Sequence, residues 1–126
     1  MQKITGVGGV FFKARDPQRL MEWYEQHLGL QFHGGFIQFK WADDQGNKTA
    51  GSTTVAIFKE DSAYFNPGEK PYMINFRVSD LRALLTELRE KGVTIAGDIQ
   101  EYEYGRFGWI IDPEGNKIEL WEPIDD

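Results

Sequence analysis

Apolar and polar positions change period several times along the chain, and each change marks an element. The stretch Ile4–Ala14 predicts a strand, and Asp16-Pro17 then opens a helix. Asp is a preferred cap, and Pro is tolerated at the first helical position. Leu20, Trp23, Tyr24, His27 and Leu28 recur on one helical face, and Gly29 supplies the left-handed stop. Tyr72–Val78 predicts a second strand, followed by a helix opened at Ser79-Asp80 with Ser79 the expected cap. Its apolar face is Leu81, Leu84, Leu85 and Leu88, and Gly92 ends it. Strands at Gly35–Trp41 and Thr53–Phe58 flank the polar loop Asp43–Asn47. Strands at Gly105–Ile111 and Asn116–Trp121 flank Asp112-Pro113-Glu114-Gly115, a strong hairpin signal.

The order of elements repeats. Phe12, Lys13 and Asp16 align with Phe76, Arg77 and Asp80 at an offset of 64 residues, about half the chain. The reading is an α+β chain of two tandem βαβββ modules. Module one covers about residues 1–61 and module two about 72–126, joined by a linker over about 62–71 that holds Pro67, Gly68 and Pro71.

Composition narrows the function. The 126 residues carry a formal net charge of −6, and the basic residues are scattered, which argues against nucleic acid or an anionic membrane as partner. With no Cys there is no disulfide framework, thiolate metal site or Cys nucleophile, and a reducing, cytoplasmic setting is expected. The apolar runs are too short to span a bilayer, and Met1-Gln2-Lys3-Ile4 shows no apolar signal region. Gly6-Val7-Gly8-Gly9 sits in a strand, so it does not read as a dinucleotide loop, and no phosphate loop or Gly-x-Ser-x-Gly elbow is present. Aromatic residues reach 14%, high for a small domain, and either the core or a flat-walled ligand cavity would use them.

Three runs carry a resemblance: Gly8-Gly9-Val10-Phe11-Phe12 with Trp23-Tyr24 and Leu28-Gly29-Leu30; Met73–Leu81; and Tyr104–Pro123, with its Asp-Pro-Glu-Gly-Asn and Ile-Glu-Leu words. Together they resemble the vicinal oxygen chelate superfamily of glyoxalase I, bleomycin-resistance proteins and extradiol dioxygenases. The resemblance implies an open, curved mixed sheet with the helices on its outer face. It also implies a homodimer. In metal-dependent members four ligands line the inward faces of four strands. Those positions fall here on Gly9, on or near Ala56, on Met73 and on Glu119. One carboxylate in four does not hold a divalent ion, so no metal and no other cofactor is expected. His27 and His33 lie off these positions, His27 at a helix C-terminus where capping explains it.

Strand parity assigns faces. Gly9, Phe11 and Lys13 face inward from the first strand; Met73, Asn75 and Arg77 from the second; Lys117, Glu119 and Trp121 from the last. The resemblance pairs the first and last strands of a module, which sets Glu119 beside Met73 and Asn75. Ile37, Phe39 and Trp41 form an all-apolar face suited to packing under the helices, which leaves Phe36 and Gln38 for the cleft. Arg106 and Trp109 have opposite parity, so only one of them points inward on a regular strand. The candidate ligand-binding set is Asn75, Arg77, Trp121, Phe11, Met73, Phe36, Tyr104 and Arg106, with Glu119 the candidate catalytic group. Tyr64 and Phe65 of the linker either close the cleft or anchor to the core. Three functional readings follow. One is a metal-free protein that binds a small planar or amphipathic molecule. A second is a glyoxalase-like lyase or isomerase with Glu119 as general base. The third is a protein-interaction scaffold.

Overall fold

A computed structural model describes residues 3–124. The outermost residues assigned to the two modules, 1–2 and 125–126, lie outside the described residues. The first module holds β1 (Ile4–Ala14), α1 (Pro17–Leu28), β2 (Phe36–Ala42) and β3 (Lys48–Lys59). The second holds β4 (Tyr72–Val78), α2 (Leu81–Glu90), β5 (Thr94–Ile95), β6 (Gln100–Tyr102), β7 (Gly105–Ile111) and β8 (Lys117–Pro123). The expected third strand after the first helix is missing. Gly29–Phe32, the counterpart of the β5 region, forms no strand, and only an isolated bridge joins His33 to Phe36.

All eight strands form one open, curved mixed sheet in the order β2-β3-β1-β4-β8-β7-β5, with β6 on β7. Within each module the first and last strands run parallel, β1 with β3 and β4 with β8. The two modules join through an antiparallel β1–β4 ladder at the centre of the sheet. The α+β class and the open, curved mixed sheet that the resemblance implied are observed, with the first half one strand short of the expected pattern.

Local chemistry sets the helix ends. Asp16 and Asp80 accept from the amides of Arg19 and Ala83, each at 3.1 Å. The cap of α2 is therefore Asp80 and not Ser79, because the carboxylate sits one residue closer to the first turn. Glu122 adds a second bond, accepting from the Leu81 amide at 2.8 Å. Gly29 closes α1 at φ 71°.

Two irregularities in the ladders reposition side chains. Between Val7 and Gly9 the pairing of β1 with β4 skips Gly8, a bulge that gives Gly8 no partner in the register. In the second, Lys40 pairs Ser52 while Ala42 pairs Lys48, so β3 carries extra residues, among them Gly51 at φ +116°. That slip resets alternation and corrects the placement of Trp41 under the helices. Its ring lies on Gly6 and Gly51, and its indole N–H donates to Thr53 Oγ1 at 2.8 Å. The same ring stacks on Arg77, 5.0 Å from guanidinium to centroid.

The main core lies between α2 and the sheet: Val78, Leu81, Leu84, Leu85 and Leu120, flanked by Phe76, Ile110 and Ile118. A second cluster, Phe65, Met73 and Trp109, packs with Phe11, Phe58 and Phe107 on the other side.

Candidate functional site

Cross-strand register assembles the site on the concave face. Gly9 pairs with Asn75, Asn75 with Glu119, and Glu119 with Trp109, one row across four strands. Side chains directly opposite in a ladder share a face. Asn75 thus lies beside Glu119, as parity together with the strand pairing implied by the resemblance led one to expect. A cavity of about 520 Å³ opens over this row. Its walls include Phe11, Phe36, Phe58, Tyr104, Phe107 and Trp121, with Asn75, Glu119, Gln38 and Thr54 as its polar groups.

Glu119 is 1% exposed, and three donors surround its carboxylate. Asn75 Nδ2 donates to Oε1 at 2.6 Å, and Trp109 Nε1 donates to Oε2 at 2.8 Å. The Tyr64 hydroxyl also donates to Oε2. Burying a carboxylate is costly unless its lone pairs are filled, and here both oxygens have protein partners. Burial pushes the Tyr64 phenol above its ordinary value, and the Glu119 charge adds to the rise, so Tyr64 remains a donor at neutral pH. Lys117 clamps Tyr64 from above: its ammonium donates to the Tyr64 carbonyl at 2.7 Å and lies over the Tyr64 and Trp109 rings. Burial lowers the Lys117 pKa, against the pull of Glu119.

Arg77 is 5% exposed and sandwiched between Trp41 and Trp121, at 5.0 and 4.9 Å from the ring centroids. It donates to the Ser52 carbonyl at 3.4 Å, and burial lowers its pKa. It supports the Trp121 wall from behind and is not among the groups lining the cavity. A guanidinium between two indoles is a favourable cation–π arrangement.

Six of the nine expected site residues line the cavity: Glu119, Asn75, Trp121, Phe11, Phe36 and Tyr104. Three do not. Met73 faces inward as parity requires but is buried at 1% exposure beneath Phe65 and Trp109, so it is core. Arg77 stands behind Trp121. Arg106 points away, bonded to Glu101 at 2.8 Å and Glu122 at 3.0 Å, because its neighbour Phe107 takes the inward face of β7. Trp109 shares that inward parity and reaches Glu119. Tyr64, left open between closing the cleft and anchoring to the core and not placed in the candidate set, lines the cavity and bonds a group 55 residues away. An aromatic pair inside a Pro- and Gly-bearing linker was the available signal. Phe65 takes the anchoring part, 1% exposed and packed on Phe58.

Among the described residues no group of three or more His, Asp or Glu converges as a metal cage. The four positions at which the resemblance expects ligands supply one carboxylate, already holding three protein donors, beside Gly9, Ala56 and Met73. That donor set does not fit a divalent ion. His27 Nδ1 lies 3.0 Å from the Trp23 carbonyl, within its own helix.

Solved structures of similar fold include Streptomyces coelicolor methylmalonyl-CoA epimerase in complex with 2-nitronate-propionyl-CoA. It is 20% identical, with 96% of this chain and 99% of that one covered and a TM-score of 0.69. The Mycobacterium tuberculosis methylmalonyl-CoA epimerase is 22% identical over 98% and 91%, with a TM-score of 0.60. A Legionella pneumophila structure described as an NAD-dependent benzaldehyde dehydrogenase is 15% identical over 91% and 97%, with a TM-score of 0.59. At these identities the likeness is one of fold. No curated protein matches the chain. The family description Glyoxalase/Bleomycin resistance protein/Dioxygenase superfamily matches residues 10–120. With that match spanning most of the sequence, the chain belongs to the glyoxalase/bleomycin resistance protein/dioxygenase superfamily.

Proposed function

We propose that this protein binds a small planar or amphipathic molecule in the aromatic cavity of its concave face, without a metal ion. The observation that carries the reading is the state of Glu119. At the position where the superfamily resemblance expects a metal ligand, the carboxylate is held by Tyr64, Trp109 and Asn75. The cavity above it is walled by flat rings, which grip a planar ligand through dispersion and area burial. A small-molecule occupant also agrees with the epimerases of similar fold, seen with acyl-CoA ligands.

The test combines metal analysis with binding. Protein reconstituted with Ni²⁺, Zn²⁺, Fe²⁺ or Mn²⁺ and dialysed should retain less than about a tenth of an equivalent by plasma mass spectrometry. Naphthalene-sized probes should quench tryptophan fluorescence at one site per chain, and Phe58→Ser should abolish the response. A full equivalent of metal, lost in Glu119→Gln, overturns the metal-free reading.

One observation favours a second reading, a lyase or isomerase of glyoxalase-like class. Tyr64 and Glu119 form a proton donor–acceptor pair, and both line the cavity. For Glu119 to act as a base it must shed at least one of its three donors. Deuterium uptake next to a carbonyl, lost in Glu119→Gln, would establish it.

A further inference from the structure

The row that holds Glu119 continues into the first module. Across the ladders it reads Gln38, Thr54, Gly9, Asn75, Glu119 and Trp109, one residue from each of six strands. Its two ends differ. In the second module the polar groups are spent on one another: Asn75 and Trp109 both donate to Glu119, and Asn75 and Glu119 are 2% exposed or less. In the first module Gln38 is exposed and Thr54 half-buried, and neither side chain has a hydrogen-bond partner among the described residues. Both line the cavity. An occupant therefore meets unspent, accessible hydrogen-bonding groups at the Gln38 end of the row.

Gly9 marks the break between the two ends. A Cβ there would stand 2.7 Å from Phe11 Cε1, so the Phe11 ring lies where a Gly9 side chain would. One row over, Phe36, Ala56 and Phe11 are in register, and all three line the cavity. They form an apolar bed beside the polar pair. Gln38 and Thr54 are directly opposite in the β2–β3 ladder, which sets their Cβ atoms roughly 5 Å apart. A glutamine amide presents a donor and an acceptor side by side, and it pairs best with an edge that offers an acceptor and a donor in return. The Thr54 hydroxyl can donate to that same acceptor, since a carbonyl oxygen has two lone pairs.

We infer that the cavity selects planar ligands with an N–H and a carbonyl adjacent on the ring edge, a cyclic amide, whose edge Gln38 and Thr54 read. This inference rests on the binding reading above and specifies its ligand. The ring lies on the bed of Phe11, Ala56 and Phe36. Gln38 Oε1 accepts from the ligand N–H, Gln38 Nε2 donates to the ligand carbonyl, and the Thr54 hydroxyl donates to that carbonyl as well.

Matched probes test this on the full chain. Tryptophan quenching is titrated with 2-quinolone and with its N-methyl derivative, which keeps the rings and the carbonyl and loses the N–H. Wild type should favour 2-quinolone by about fivefold, a modest factor because Gln38 is solvent-exposed. Gln38→Met, an unbranched side chain of similar size at an exposed position, should bring the ratio close to one. Thr54→Val should weaken both probes about threefold and keep the ratio, since both carry the carbonyl. Equal affinities in wild type overturn the inference and leave the cavity reading intact. A preference unchanged in Gln38→Met means that the added methyl clashes elsewhere, and a Thr54→Val variant that binds both probes as wild type does removes the second contact; either result overturns the inference. Failure of both probes to bind wild type overturns the cavity reading, and the inference with it.

Discussion

The two modules share a pattern and differ in how they use it. Both helices carry apolar residues at helical spacing and open on an Asp cap. In α2 the stripe is buried: Leu81, Leu84 and Leu85 are 6% exposed or less. In α1 no residue is buried, and Trp23 and Leu28 stay largely in solvent, with Trp23 stacked on His27 and against Tyr24. The second module thus holds the aliphatic core and also shares the cavity, to which the first gives Phe11 from β1, Phe36 and Gln38 from β2, and Thr54 and Phe58 from β3. Equal amphipathic periodicity does not mean equal burial, because what a stripe packs on is decided by the strands opposite. Module two offers α2 a bed of Phe76, Ile110, Ile118 and Leu120.

The comparison can be broken experimentally. Leu81→Ala should cost about 3 kcal/mol in urea-induced unfolding, the range for deleting a fully buried leucine. Tyr64→Phe should cost about 1–2 kcal/mol, since it takes one donor from a buried carboxylate. The same variant carries a pH signature. The folded-state pKa of Tyr64 lies above its ordinary value of 10.0, so the folded protein keeps a proton that the unfolded chain releases. Its contribution is complete below about pH 10 and is lost as pH rises beyond it. Between pH 9 and 11 the wild type should therefore lose stability faster than Tyr64→Phe. Trp23→Ala should change stability by no more than about 0.5 kcal/mol, as for a surface site. A larger loss that grows with protein concentration would mean that a second copy covers α1.

Much of this architecture was legible. Asp16-Pro17, Asp80 and Gly29 marked helix ends, and Asp112–Asn116 formed the turn, with the Asp112 carboxylate accepting from Glu114 and Asn116 amides at 2.9 Å. Parity on β4 and β8, with the strand pairing that the resemblance implied, brought Asn75 to Glu119. The failures have physical causes. Alternation holds only while the ladder is regular, and the slip at Gly51 sent Trp41 to the side opposite its expected one. Local pattern also says nothing of contacts distant in sequence. Tyr64 finds Glu119 across 55 residues, and Arg106 is drawn to Glu101 and Glu122. Burial of Met73 followed from Phe65, a linker residue with no periodicity to place it.

The central β1–β4 ladder makes the molecule divisible. Each half of the chain contributes one strand to that seam, and the only covalent link across it is segment 62–71. A chain opened between Glu69 and Lys70 leaves Tyr64 and Phe65 on the first piece and their partners Glu119 and Trp109 on the second. The contacts left between the two pieces then include a backbone ladder and one aromatic socket. Since the cavity takes walls from both, it would exist only in the reassembled pair, and any molecule that bound there would hold the pieces together.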